Sequence, residues 1–211
     1  MKNNPPEAAA LPLVLATQNV HKVREFRAML KGMENLDLLS LRDFPDYVPL
    51  PETGGSFEEI AIAKAIHAAE TLEHWVLAED SGLVVPALGG SPGIRSARFA
   101  GEHASDLDNR KKLLEEMRHL LDDDRCAYYE CCIAIASPKG LEKSVCSTCE
   151  GKIAPNEKGS SGFGYDPLFI KHEYNKTFAE LDESTKNRVS HRRKALDKLM
   201  PFLESINVLL H

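Results

Sequence analysis

The spacing of apolar residues changes period several times along the chain, and each change marks an element. "LPLVLAT" (11–17) is a short apolar run that breaks into the polar "QNVHK". "KVREFRAMLKG" follows, with Val23, Phe26 and Met29/Leu30 at helical spacing and Gly32 as a stop. The first unit is therefore strand, polar loop, helix. "LDLLSL" (36–41) predicts a second strand, and the prolines and glycines of "PDYVPLPETGG" (45–55) predict a loop. "SFEEIAIAKAIHAAETL" (56–72) predicts a helix. Ser56 and Glu59 have capping-box spacing, and Ile62, Ala65, Ile66 and Ala69 form its apolar stripe.

Downstream, "HWVLAED" and "GLVVPAL" are strand-like and precede the loop "GGSPGIRSARFAG" (89–101). "SDLDNRKKLLEEMRHLL" (105–121) is periodic as a helix, with Ser105 as N-cap. "CAYYECCIAIA" and "LEKSVCSTCEGKIA" flank "SPKG", the pattern of a hairpin of two long strands. A glycine-rich loop (156–167) leads into "LFI", and "SHRRKALDKLMPFLESINVLL" closes the chain as a helix, with Pro201 kinking it or starting a new turn. Early alternation of strand and helix with a late hairpin predicts an α/β fold on a mixed β-sheet with flanking helices. No repeat or linker divides the chain, so residues 13–211 read as a single domain and 1–12, with adjacent prolines, as a loose N-terminal tail.

Composition narrows the function. At 43% hydrophobic and 27% charged the 211 residues describe an ordinary globular protein. No apolar stretch nears the roughly 18 residues of a membrane span, and no signal peptide opens the chain, so no membrane partner is expected. The net charge of −6 argues against a stable nucleic-acid partner. It leaves room for a nucleotide received by local lysines, helix N-termini or a metal ion. Five cysteines at low density fit a reducing cytosol, and so a cytoplasmic protein. Cys146 and Cys149 have C-x-x-C spacing but lie in a β-like run without a second pair, so packed thiols on paired strands account for them better than zinc or redox chemistry.

Four stretches carry candidate chemistry. "TQNVHK" (17–22) joins a strand to a helix start, where free N–H groups and the helix dipole favour an anion. Thr17 and Asn19 can donate to phosphate and Lys22 can neutralise it, although from this stretch alone a polar turn with a routine cap is the plainer account. In "WVLAEDSGLVV", Glu79 and Asp80 end an apolar run, and Glu52 lies in "PETGG". Adjacent strand residues point to opposite faces, so one carboxylate can bind a hard divalent ion while the other supports it. A solvated turn with salt bridges fits this stretch equally. In "SSGFGYDP" (160–167), glycines flanking Phe163 allow close approach of a flat ligand, and Phe163 either stacks on a base or packs the loop. In "STKNRVSHRRKAL" (184–196), Ser190 as N-cap puts His191 and Arg192 in a first turn, where cations oppose the helix dipole unless an anionic or carbonyl ligand meets them.

Together, "VLATQNVHKVREF", "PETGGSFEEIAIAKA", "AEDSGLVVPALGGSPGIRSARFAG", "GFGYDPLF" and "SHRRKAL" resemble, in order and over about Leu13 to Leu199, the inosine/xanthosine triphosphate pyrophosphatase family. The resemblance implies an elongated two-lobed fold with a central cleft, a homodimer, Mg²⁺, and hydrolysis of ITP, dITP and XTP to the monophosphate and pyrophosphate. By position, Thr17, Gln18, Asn19, Val20, His21 and Lys22 resemble the triphosphate loop. Asp80 resembles the metal ligand and general base, Ser81 a substrate contact, and Glu52 and Glu79 further acids of the metal site. Lys64 resembles a phosphate-side lysine, and Phe163, Gly164, Tyr165 and Asp166 the base loop. Lys186, His191 and Arg192 resemble the groups that close the nucleotide pocket. Three positions depart from the family pattern: Gln18 stands where glycine is common, Glu79 where aspartate is common, and Ile60 where many bacterial members carry asparagine. Two rivals are a pyrophosphatase for other nucleotides on the same scaffold and a nucleotide-binding regulator without catalysis.

Overall fold

The computed structural model describes residues 10–33 and 35–209. Most of the expected tail, residues 1–9, lies outside them, and Leu11 already belongs to the first strand. The elements in chain order are β1 (Leu11–Leu15), α1 (Val20–Leu30), β2 (Leu36–Ser40), α2 (Phe57–Leu72) and β3 (Trp75–Val84). They continue with α3 (Asp106–Glu116), β4 (Cys126–Ser137), β5 (Gly140–Ile153), β6 (Phe169–Lys171), β7 (Lys176–Thr177), α4 (Glu183–Val189) and α5 (His191–Leu209). The strands form one mixed sheet in the order β2-β1-β3-β4-β5-β6-β7. β1 pairs parallel with β2 and β3, and every later pairing is antiparallel. This is the mixed α/β architecture expected, and the "SPKG" turn joins the two long strands of the hairpin.

Strand alternation sorts the sheet's side chains into two cores. Leu13, Leu15, Leu77, Ile133 and Ile135 face Val23 and Phe26 of α1 and Leu196, Leu199 and Leu203 of α5. Val14, Val76, Ala78, Ala134 and Ala136 face α2, whose contact stripe is mostly small: Ala61, Ala65, Ala68 and Ala69. Ile60 is buried in that helix, while Ile62 and Ile66 lie at the edge of its core, so the stripe is rotated from the one expected. A third core forms where β3, β4 and β5 run past the helices. There Leu83, Tyr129, Cys149 and Ile153 pack with Leu113 and Met117 of the α3 segment and with Phe169 and Phe178.

Local chemistry explains most boundaries. Ser56 Oγ accepts the Glu59 N–H (3.2 Å), but the Glu59 carboxylate takes the N–H of Gly55 instead of closing the box (2.8 Å). Ser105 and Asp108 do form a complete box at α3. That helix ends at Glu116, five residues before the periodicity does. The Arg125 guanidinium donates to the carbonyls of Met117, Ile153 and Ala154 (2.8–3.1 Å), which ends the helix and ties it to β5. "HWVLAED" and "GLVVPAL", read as separate runs, form one ten-residue strand through Ser81 and Gly82. A Cβ at Gly82 would stand 2.3 Å from Ser96 Oγ and 2.6 Å from the Gly93 carbonyl, so only glycine lets the short turn Gly93–Arg98 lie against β3. Helix α5 continues through Pro201.

The cysteines differ from expectation in one respect. Cys132 and Cys146 do sit on paired strands, directly opposite one another with Cα atoms 4.1 Å apart, and their sulfurs are joined as a disulfide. Cys126, Cys131 and Cys149 are free. Sequence spacing suggested a relation between Cys146 and Cys149, but three residues along a strand put them on opposite faces.

Candidate active site

The site lies where the two helix-covered cores meet the third, and each motif reaches it from a different element. The β1–α1 loop enters first. Asn19 caps α1, its Oδ1 accepting from His21 N (2.9 Å) and Lys22 N (3.3 Å), while Thr17 Oγ1 accepts from Asn19 N (3.1 Å). Gln18 is exposed and has ordinary negative φ, so the loop makes its turn without glycine there.

Strand β3 divides the next pair. Glu79 points to the α1/α5 side, where Lys22 Nζ is 2.7 Å from Oε2 and Arg192 Nε donates to Oε1 at 3.0 Å. Burial would raise its pKa, but the Arg192 and Lys22 cations outweigh it and hold Glu79 well below the usual carboxylate range. The Asp80 carboxylate points to the α2 side and makes no hydrogen bond among the described residues; Lys64 Nζ stands 3.7 Å away. Burial pushes Asp80 up to about 6, against the lowering pull of Lys22 and Lys64. Two adjacent acids thus carry opposite perturbations, because alternation gives them different neighbours.

Lys64 is the junction on the α2 side. It donates to Glu52 Oε1 (2.8 Å) and to the Glu79 carbonyl (3.2 Å). Arg98 reaches Glu52 as well, through its carboxylate (3.5 Å) and backbone carbonyl (3.3 Å). Glu52 is exposed, and Lys64 outweighs the partial loss of solvent around it to hold its pKa below the usual carboxylate value.

The opposite wall is aromatic and basic. Lys186, in the short α4 that the sequence did not single out, is buried between Glu25 (2.7 Å) and Asp166 (2.6 Å). Its ammonium lies 4.8 Å from the centre of the Phe163 ring. Asp166 Oδ2 also accepts the Phe163 N–H (2.9 Å). Ser190 Oγ accepts the Arg193 N–H (3.3 Å), so His191 and Arg192 stand in the first turn of α5, as expected. Arg192 answers the dipole problem with acids: besides Glu79, it donates to Glu25 (2.8 Å) and to Ser81 Oγ (2.9 Å). The His191 ring stacks on Tyr129 with centroids 4.5 Å apart. Burial and the adjacent Arg192 pull it well below the normal imidazole range, so it is neutral. Neither of its ring nitrogens has a partner among the described residues. His21 stacks on Phe163 with centroids 5.1 Å apart.

Helix α3 holds the base-loop segment from the far side. Asp106 accepts the Gly164 N–H (2.7 Å) and Arg110 donates to the Gly164 carbonyl (2.9 Å), while Tyr165 OH donates to the Ser96 carbonyl (2.9 Å). Gly164 has φ +60°, a conformation that suits glycine and aims both of its backbone groups at α3.

Thr17, Asn19, Lys22, Glu52, Lys64, Asp80, Ser81, His191 and Arg192 line one open cleft together with Phe163, Gly164, Tyr165 and Asp166. Gln18 and Val20 stand outside it, and Lys186 and His21 line a second recess behind Phe163. Sequence reading missed Glu25, Arg98, Asp106, Arg110 and Tyr129. Only Glu25 left a signal: it is an acid one position before Phe26, on the face of α1 that is otherwise apolar and buried.

Residues 13–202 match the Ham1 family. The chain belongs to the Ham1 family. Among similar Ham1-family proteins, the dITP/XTP pyrophosphatase of Protochlamydia amoebophila (strain UWE25) is 56% identical over 197 residues, covering 93% of this chain and 99% of that protein. The protein of the same name from Chlamydia trachomatis serovar L2 is 53% identical, covering 93% and 94%. Solved structures agree. A HAM1 protein from Coxiella burnetii superposes with TM-score 0.84 at 38% identity, covering 92% of this chain and 99% of that one. The Staphylococcus aureus Ham1 protein gives 0.81 at 39%, covering 92% and 98%.

Proposed function

We propose that this Ham1-family protein is a nucleoside triphosphate pyrophosphatase that hydrolyses ITP, dITP and XTP to the monophosphate and pyrophosphate, with Mg²⁺ as cofactor. The observation that carries the mechanism is Asp80: a buried carboxylate without a hydrogen bond among the described residues, lifted to about 6, beside a lysine and a second acid in an open cleft. The relatives named dITP/XTP pyrophosphatase supply the substrate class.

The donor set fits a hard divalent ion. Asp80 and Glu52 offer carboxylate oxygens on one side of the cleft, and Lys22 and Lys64 offset the charge of ionised Asp80 only in part. These two residues would hold Mg²⁺, with Glu79 supporting from the opposite face by fixing Lys22 and Arg192. When bound, the ion neutralises phosphate oxygens and acidifies a water. Asp80, at the cleft, is placed to take a proton from a water that attacks the α-phosphorus. Lys22 and Lys64 offset the charge that develops on departing pyrophosphate. Phe163, braced by Lys186 and Asp166, offers its face to the purine, with Tyr165, Gly164 and Ser81 shaping the surroundings.

Base choice follows from donors. Each Arg192 nitrogen already has a protein partner, which fixes the guanidinium plane, and two of its five N–H groups remain. A 6-keto purine presents an acceptor to such a donor, whereas adenine presents an amino group. Discrimination built on hydrogen bonding reaches about 10⁴. The enzyme acts in the cytoplasm as a homodimer on this reading, and light scattering tests the second point.

The deciding experiment offers ITP, dITP, XTP and ATP separately to the purified protein with Mg²⁺, beside Asp80→Asn. Monophosphate plus pyrophosphate from the first three, little turnover of ATP and almost none by the variant is the expected result. IDP and orthophosphate from ITP would mean attack at the γ-phosphorus, and the assignment of Asp80 would be wrong.

A further inference from the structure

Behind the catalytic strand lies a cluster that the proposed reaction does not use. Asp80 of β3 is paired in register with Cys132 of β4, and Cys132 with Cys146 of β5, so one row crosses three strands. Directly opposed residues share a face, and here that face is the one covered by α2. Cys132 is buried, Cys146 is half-buried, and the Glu130 carboxylate stands 3.9 Å from the Cys132 sulfur.

We propose that Cys132 and Cys146 form a reversible thiol–disulfide site, closed by exchange with a small-molecule disulfide that enters at Cys146. The other cysteines cannot substitute. Cys131 lies on the opposite face with its sulfur 3.6 Å from Glu79. Cys149 faces away from Cys146 and donates to the Val189 carbonyl (3.4 Å), and burial raises its thiol to about 11. Cys126 is exposed at the start of β4, opposite Lys152.

The chemistry balances in two exchanges. The Cys146 thiolate attacks one sulfur of the external disulfide, which releases one small thiol and leaves a mixed disulfide on Cys146. Cys132 then loses its proton to Glu130 and attacks the Cys146 sulfur, which expels the second small thiol. Two protein thiols are oxidised and one external disulfide is reduced to two thiols. The bond closes a loop with a sequence separation of 14 residues around the β4–β5 turn. It fastens the hairpin whose first strand is hydrogen-bonded to the strand of Asp80.

The test uses the full-length protein, reduced, freed of reductant and equilibrated in buffers of varying reduced-to-oxidised glutathione ratio, then acid-quenched and alkylated. Two thiols are expected to disappear together. Trypsin should then yield residues 126–139 joined to 144–152, with fragmentation placing the bond at Cys132–Cys146 and dithiothreitol reversing it. Loops of this length raise Tm by about 5 °C or more when closed, so the oxidised protein should melt higher. Cys132→Ser should stop at a glutathione adduct on Cys146, and Cys149→Ser should still close the bond. Closure of peptide 144–152 on itself, or five alkylatable thiols at every ratio, would overturn the proposal. Wild-type peptide mapping decides the matter even if a variant fails to fold.

Discussion

Replacing Asp80 by asparagine should stabilise this protein while abolishing its activity. Folding buries the Asp80 carboxyl and raises its pKa from the model-peptide value of 3.8 to about 6, with burial the largest cause and Lys22 and Lys64 too weak to cancel it. The linkage has a definite sign. Below 3.8 the group is protonated folded and unfolded, and it contributes nothing. Between 3.8 and 6 the folded state binds the extra proton, so stability falls as pH rises. Above 6 the full penalty applies. At ~1.36 kcal/mol per pH unit the penalty is about 3 kcal/mol, an order-of-magnitude figure. Asparagine keeps the shape and cannot ionise. Urea unfolding in EDTA should show Asp80→Asn more stable than wild type by about 2–3 kcal/mol at pH 8, with the gap closing towards pH 4. Adding Mg²⁺ should then stabilise the wild type more than the variant, since ligand binding to the folded state raises stability. A variant less stable than wild type at pH 8, or a gap independent of pH, refutes the reasoning that burial without a partner dominates this carboxyl.

Other substitutions separate the roles further. Glu79→Gln leaves Lys22 and Arg192 without their shared anion and should cost about 3–5 kcal/mol by denaturant unfolding; a loss under about 1 kcal/mol would show the pair to be dispensable. Phe163→Ala should raise KM for ITP roughly tenfold with a smaller change in kcat, since one base-on-ring stack is worth about 1–3 kcal/mol; unchanged KM would make Phe163 a loop-packing residue. Asp106→Ala frees the Gly164 N–H that fixes the base loop and should raise KM several-fold without shifting the pH profile of kcat, measured by steady-state pyrophosphate release.

The parts of the fold that depend on neighbours in sequence were legible. A five-residue apolar run before a polar turn gave β1, Asn19 and α1, and "SPKG" between long alternating runs gave the hairpin. Period-2 alternation even predicted that Glu79 and Asp80 would part to opposite faces. What could not be read was which partner each face meets. Glu25 joins Lys186 and Arg192 across more than 160 residues, and spacing carries no trace of that. Asp106 and Arg110 lie in a stretch whose periodicity showed only a helix, and tertiary packing alone brings them onto the backbone of Gly164. The disulfide was missed for the same reason: the cysteines were read as packed thiols on paired strands, and only register sets Cys132 directly against Cys146.

The acidic pair shows how one strand serves stability and chemistry together. Glu79 is surrounded by Lys22 and Arg192, remains ionised, and anchors α1 and α5 at the cleft floor. Asp80, one residue on, is buried with its nearest cation too distant for a hydrogen bond, and its proton affinity rises into the range where transfer near neutral pH is easiest. Their separation also protects each role. A Glu79 carboxylate on the Asp80 face would add like charge beside Glu52 and raise Asp80 further, while Lys22 would lose its counter-ion and Arg192 would keep only Glu25. Alternation of the strand is therefore the device that lets two neighbouring acids be tuned in opposite directions. A substitution that changes charge at one should alter the other's titration only modestly, because Glu79 has Lys22 and Arg192 beside it and Asp80 has Lys64. Glu79→Gln in the pH series of Asp80 activity measures that coupling. A small downward shift of the acidic limb fits two separately tuned groups; a shift of two or more pH units would show them titrating as one shared-proton pair.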